Sequence, residues 1–237
     1  MSAGARLASL PRMSDWPLAL ITGASRGIGA AIAAALGETH ELLLGGRDAE
    51  ALREVAGGLP QARPWPVELT DADALAAATA GIHRLDVLVH SAGISRYGDL
   101  GSLSAADWRE SFEVNVVAVA ELTRLLLPAL RATNGQVVLI NSGSGINARP
   151  GSGAYAASKF ALRGYADVLR AEETTLRVTS VHPGRTATDM QRELRAVEGG
   201  AYDPADYLRP ESVAEVVRAA VVATQEAHVH EVVIRPR

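Results

Sequence analysis

Tyr155 and Lys159 stand four residues apart in the run Tyr155-Ala156-Ala157-Ser158-Lys159. On a helix that spacing puts both side chains on one face, about 6 Å apart along the axis. A phenol with an ordinary pKa of about 10 exchanges protons poorly near neutrality. A neighbouring ammonium favours the phenolate, so Lys159 is expected to lower the Tyr155 pKa. The pair then reads as a general acid–base group whose ammonium can also bond a ribose hydroxyl. A Tyr-x-x-x-Lys spacing is often no more than a surface pair. Here, however, Lys159 is the one lysine among 23 basic residues, all the others being arginine.

A second chemistry-bearing segment is Thr22-Gly23-Ala24-Ser25-Arg26-Gly27-Ile28-Gly29, which follows an apolar run and opens a helical one. Glycine is required where backbone turns sharply or must approach a pyrophosphate without a side chain. The helix that follows offers free N–H groups and a positive dipole end to that phosphate. The spacing is G-x-x-x-G-x-G rather than G-x-G-x-x-G. A dinucleotide site for NAD usually carries an acid at the end of the second strand. That strand ends Leu44-Gly45-Gly46-Arg47, with Gly46 at the acid's place. Glycine does not repel a 2′-phosphate, and Arg47 and Arg26 could pair with one. Either arginine could equally be a solvated surface charge. The combination points to NADP(H) as cofactor.

The elements that position these residues follow from the apolar pattern. Short runs at Leu18–Ile21, Leu42–Leu44, Trp65–Val67, Val87–Val89, Val137–Ile140, Val178–Val181 and Val229–Ile234 read as buried strands. Between them lie amphipathic stretches at Ile28–Leu36, Ala49–Ala56, Ala72–Thr79, Ala105–Leu130, Ala154–Ala171 and Ser212–Gln225. This alternation predicts an α/β fold, a Rossmann-type doubly wound parallel sheet of about seven strands with helices on both faces. A length of 237 residues fits one domain, expected over residues 15–237, after a disordered tail at residues 1–14. Met13 would be a natural start, although the first dozen residues are faintly like a transit peptide. The longest irregular stretch, about residues 185–210, reads as a substrate loop or lid.

Composition closes off other classes. Hydrophobic residues make up 48% and charged residues 21%, which excludes wholesale disorder. The net charge of −4 argues against a nucleic-acid partner. The absence of cysteine excludes disulfides, cysteine–zinc sites and thiol catalysis. No apolar run is long enough to span a membrane, and a cytoplasmic location is expected.

With these motifs in order, the chain resembles the short-chain dehydrogenase/reductase family over roughly Leu18 to Ile234. The segment Thr22–Gly29 is similar to the family's cofactor loop, and Tyr155-x-x-x-Lys159 to its catalytic pair. Ser142, thirteen residues before Tyr155, stands where the family keeps its catalytic serine. Asn115 matches the asparagine of its proton relay, and Pro183-Gly184-Arg185-Thr186-Ala187-Thr188 resembles the segment closing over the nicotinamide. The resemblance implies that Tyr155 donates a proton to the substrate carbonyl oxygen and that Ser142 hydrogen-bonds that oxygen. It implies that Lys159 holds the nicotinamide ribose and tunes Tyr155, while Asn115, through its helix backbone, seats a water linking Lys159 to solvent. Cofactor contacts are expected at Gly23, Ser25, Arg26, Gly27, Ile28, Gly29 and Arg47. They are also expected at Glu68, Leu69, His90, Ala92, Gly93, Tyr155, Lys159, Pro183, Gly184, Thr186 and Thr188. No metal is expected.

Two positions depart from the family pattern. The fourth strand ends His90-Ser91-Ala92-Gly93 where Asn-Asn-Ala-Gly is usual, and a structural role suits His90 better than a catalytic one. The third ends Glu68-Leu69 where Asp precedes an apolar residue, so the contact of Glu68 with the adenine amine is in doubt. The resemblance places Ser144, Asn147, Arg149, Ile94, Tyr97, Arg185, Met190, Leu194, Tyr202 and Tyr207 around the substrate. Arg185 or Arg149 could receive an anionic substrate group or could simply face solvent. The expected activity is NADP(H)-dependent hydride transfer to or from a small carbonyl or secondary alcohol, as in a carbonyl reductase. The alternative is a catalytically silent NADP-binding regulator. A homodimer or homotetramer is implied by the family.

Overall fold

Strands that are apolar at every position must be covered on both faces, and the chain is built accordingly. A computed structural model describes residues 15–237; the tail expected at residues 1–14 lies outside the described residues. The strands are β1 (Leu18–Thr22), β2 (Glu41–Gly46), β3 (Ala62–Pro66), β4 (Val87–His90), β5 (Gln136–Ile140), β6 (Arg177–Pro183) and β7 (Glu231–Ile234). They form one seven-stranded sheet in the order β3-β2-β1-β4-β5-β6-β7, and every pairing is parallel. The helices are α1 (Gly27–Leu36), α2 (Ala49–Gly57), α3 (Ala72–Thr79), α4 (Ala105–Phe112), α5 (Ala118–Arg131), α6 (Gly153–Glu172), α7 (Asp189–Val197) and α8 (Pro210–Val221).

Period-two alternation along the strands sends successive side chains to opposite faces. Leu20, Leu43, Leu88 and Leu139 meet Leu75 of α3, Leu122 and Leu126 of α5 and Leu162 of α6 on one side. Ile21, Leu42, Val89 and Val138 meet Ile32 of α1, Leu52 of α2 and Val213 of α8 on the other. Strand order reverses between β1 and β4. The crevice outside their carboxyl ends is where ligands of such sheets bind.

Several elements differ from the sequence pattern. β3 is Ala-Arg-Pro-Trp-Pro, starting three residues before the expected Trp65. It lies at the sheet edge, where two prolines cost no ladder bond. The helix expected over Ala105–Leu130 is interrupted between α4 and α5 by a π turn at Glu113–Val117, where the Ala118 N–H reaches back five residues to Glu113 O. The expected loop at 185–210 contains α7 and a 3-10 turn at Pro204–Asp206. The hydroxyl of Thr188 accepts from Gln191 N (3.3 Å) to start α7, a cap that a search for long apolar periodicity passes over. β7 begins at Glu231 rather than Val229, and its side chains are only partly covered.

Candidate active site

The glycine loop between β1 and α1 is shaped by two left-handed positions, Gly23 (φ 66°) and Gly27 (φ 58°). A Cβ on Gly23 would lie 2.8 Å from the Ala92 backbone, and one on Gly29 would lie 2.2 Å from Gly23 O. Thr22 joins this loop to the end of β4: its hydroxyl accepts from Ser91 N and Ala92 N (both 3.1 Å). The N-terminus of α1 carries neither a side-chain cap nor an acid in its first turn. Its free N–H groups therefore face the crevice with their positive dipole end. Thr188, after β6, closes on the same loop, its methyl 3.3 Å from where a Gly27 Cβ would be. The Thr186 hydroxyl donates to Gly184 O (3.1 Å), and Gly184 N donates to Ile234 O (2.7 Å).

Both candidate 2′-phosphate arginines are exposed. Arg26 lies 3.5 Å from Asp189 at the start of α7, and Arg47 lies 3.7 Å from Glu68. Glu68 is turned onto Thr70, accepting from its N–H (3.2 Å) and hydroxyl (3.0 Å). Leu69 packs against the core. His90 is fully buried, with Nε2 2.9 Å from the Thr123 hydroxyl beneath α5. That hydroxyl already donates to Val119 O, so Nε2 is the donor. Burial pushes the His90 pKa down to about 3, which keeps the ring neutral. Its side chain is thus structural, and only its backbone remains at the strand end.

Tyr155 and Lys159 lie on the buried face of α6, 7% and 5% exposed. The Lys159 ammonium stands 5.9 Å from the Tyr155 ring centroid and donates to Ile140 O (3.0 Å) at the end of β5. Burial lowers its pKa to about 8. The Ser142 hydroxyl lies near enough to the Tyr155 phenol to favour its ionised form. Ser142 accepts from Ser144 N (3.0 Å). Contrary to the expected lowering, the Tyr155 phenol is raised: burial dominates, and the nearby Ser142 hydroxyl offsets only part of it. Tyr97 contributes to that burial, its ring 5.5 Å from Tyr155.

Asn115 lies within the π turn, and its amide is fully used. Oδ1 accepts from Ile94 N (2.9 Å), while Nδ2 donates to Ile94 O (2.9 Å) and Ser158 Oγ (3.0 Å). Ser158 in turn donates to Tyr155 O (2.8 Å). Asn115 therefore clamps the Gly93–Ile94 turn onto α6. A Cβ on Gly93 would be 3.8 Å from Lys159 Nζ, so this glycine keeps the space beside the ammonium clear.

The structure brings Ser142, Tyr155, Lys159, Asn115 and Gly93 into one cluster. The glycine loop, Ala92 and Thr188 form a second, contiguous with the first through the β4 turn. Arg185 is held by Glu198, which also accepts from Arg195 (2.5 Å), so its guanidinium is engaged within the loop. Arg149 is exposed. Two residues with structural work in the site were not singled out from sequence. Asn141 accepts from Ser142 N (2.8 Å) and donates to Lys159 O (3.2 Å), while Ser158 links α6 to Asn115. Their signal was adjacency: each immediately precedes a candidate catalytic residue.

This geometry fits a dinucleotide. The glycine loop and uncapped α1 suit a pyrophosphate, and Lys159 spends one of three N–H groups on protein among the described residues. No group of acids and histidines among the described residues could hold a metal ion. None of their helices is long and apolar enough to cross a membrane.

Comparison with known proteins gives a consistent result. The family model described as short chain dehydrogenase matches residues 17–199. A glycine betaine reductase of Emericella nidulans is 33% identical over 236 residues; the match covers 93% of this chain but only 19% of that protein. An alcohol dehydrogenase from Thermococcus sibiricus, solved with 5-hydroxy-NADP, superposes with a TM-score of 0.86 at 27% identity, covering 94% of this chain and 97% of that one. A metagenomic short-chain oxidoreductase in complex with NADP gives a TM-score of 0.79 at 32% identity, covering 93% and 97%.

Proposed function

The chain belongs to the short-chain dehydrogenase family, and on that premise we propose that it is an NADP(H)-dependent oxidoreductase acting on a small carbonyl or secondary alcohol. The observation that carries this reading is the buried Tyr155 phenol and Lys159 ammonium on one face of α6, with the Ser142 hydroxyl near the phenol. The bound nicotinamide would supply or accept the hydride. Everything else falls to the chain's own residues.

A substrate oxygen bonded to both hydroxyls would be polarised by Ser142 and receive its proton from Tyr155. The raised Tyr155 pKa keeps the phenol protonated, the form a general acid needs for reduction. Lys159 would hold the ribose and stabilise the phenolate left behind. Tyr97, packed on Tyr155, would exclude water from the proton's path. Asn115 would hold the Gly93–Ile94 turn, and with it the space beside Lys159. The preference for the 2′-phosphorylated cofactor rests on Gly46, Arg47 and Arg26. A homodimer or homotetramer is supported by exposed apolar side chains at Val117, Phe160 and Val168.

The test is oxidation of NADPH and NADH with a panel of ketones, aldehydes, quinones and keto acids. Turnover is expected with NADPH, and Tyr155→Phe is expected to cut kcat by about 10²–10⁴-fold while leaving NADPH binding intact. Equal turnover by Tyr155→Phe would refute the assignment of the acid. Tight NADPH binding without turnover of any carbonyl would favour the regulator.

A further inference from the structure

Ser142 must present its hydroxyl in one direction, and its backbone is held from two sides. Its N–H donates to Asn141 Oδ1 (2.8 Å), and its carbonyl lies 3.2 Å from Nδ1 of His182 on the neighbouring strand β6. A carbonyl only accepts, so Nδ1 carries the proton. In the neutral ring the free lone pair is then on Nε2. That atom is buried with no hydrogen-bond partner, and the nearest charged group is Glu231 Oε1 of β7 at 3.5 Å. Glu231 is itself fixed by Arg163 of α6 through Nε (3.0 Å) and Nη2 (3.2 Å).

β7 reaches the same place a second time. Arg235, just past its end, donates from Nη1 to the His182 carbonyl (3.2 Å). Its guanidinium lies against Gly143, where a Cβ would come within 2.8 Å of Nη1. His182 is completely buried between apolar neighbours of β6. A leucine or phenylalanine there would leave no nitrogen unsatisfied. What the imidazole gains in return is the bond to Ser142.

We propose that His182 is a positioning residue: its Nδ1–H holds the Ser142 carbonyl, and so aims the Ser142 hydroxyl at Tyr155 and the substrate oxygen, with the end of β7 as the brace through the Arg235 bond to the His182 carbonyl. The proposal rests on the oxidoreductase reading of the site. It makes Arg235, at the end of the edge strand, part of the architecture that orients Ser142.

Two measurements test it. The first compares His182→Leu with His182→Asn, whose side-chain N–H can occupy the place of Nδ1–H. His182→Leu is expected to lower kcat about tenfold, the value of one hydrogen bond, with the NADPH Kd unchanged within about twofold. His182→Asn is expected to recover to within about threefold of the native kcat. Native kcat in His182→Leu, or equal loss in both variants, would overturn the proposal.

The second needs neither cofactor nor substrate. Long-range 1H–15N spectra of the native protein at pH 7.5, with the His182 signal assigned by its loss in His182→Asn, should show the Nδ1-protonated neutral ring. An Nε2-protonated ring would overturn the tether, and this readout stands even if His182→Leu fails to fold. Native protein that turns over no carbonyl would refute the function proposed above, while the spectrum still decides the tether.

Discussion

Lys159→Met separates what Lys159 does for chemistry from what it costs the fold. Burial lowers the ammonium from an ordinary 10.5 to about 8. Each pKa unit corresponds to about 1.4 kcal/mol, so keeping this charge in place costs about 3 kcal/mol at pH 7. Methionine fills nearly the same volume with no charge to desolvate. Against that relief stands the lost hydrogen bond to Ile140 O, worth about 1.5–3 kcal/mol for a charged donor. Lys159→Met should therefore be about as stable as the native protein at pH 7, or more stable by about 1 kcal/mol, while losing at least about 10²-fold in kcat.

The pH dependence gives the sharper test. Because the folded pKa lies below the unfolded one, the unfolded chain binds more protons between pH 8 and 10.5. The cost of Lys159 is then fully present below pH 8 and is relieved as pH rises towards 10.5. Any advantage of Lys159→Met should shrink by about 2 kcal/mol between pH 7 and pH 10. Urea unfolding of both proteins at the two pH values measures that difference, and other titrations largely cancel between them. A stability difference that does not change with pH, or that grows in favour of methionine, would refute the claim that Lys159 is a desolvated ammonium.

The remaining predictions concern the cofactor and the assembly. Gly46→Asp should raise the KM for NADPH by about tenfold or more and improve NADH, since its carboxylate would face the 2′-phosphate. A Cβ at Gly46 makes only ordinary contact with Leu52 (3.5 Å), so an unchanged NADPH preference in a folded variant would place the adenosine elsewhere. Size exclusion with light scattering at micromolar concentration should report a dimer or tetramer, and Phe160→Glu should shift it to a smaller species. A native monomer would refute the oligomer.

Much of the cluster was legible because its signals are local. An i, i+4 pair on a helix and a glycine loop at a strand–helix junction are properties of a few consecutive residues, and the sheet follows from apolar periodicity. The missed features depend on residues far apart in sequence. Arg185 looks free until Glu198, thirteen positions on, meets it across α7. The π turn at Asn115 occurs inside a stretch whose pattern continues a helix, and the clamp from Asn115 to Ile94 and Ser158 spans 21 and 43 positions.

The direction of the Tyr155 pKa was missed for the same reason. Sequence spacing places the ammonium beside the phenol, but the burial that raises the phenol comes from a fold that also packs Tyr97 on the ring. Desolvation acts on Lys159 as well, so the two charged forms that the chemistry needs are both disfavoured in the resting site. A phenol that must be protonated to serve as an acid, and an ammonium poised to pair with the phenolate it leaves, are better served by that arrangement than by a phenol already ionised. The pKa expected from the spacing alone would favour the phenolate; the burial of Tyr155 favours the protonated phenol, the form the proposed general acid needs.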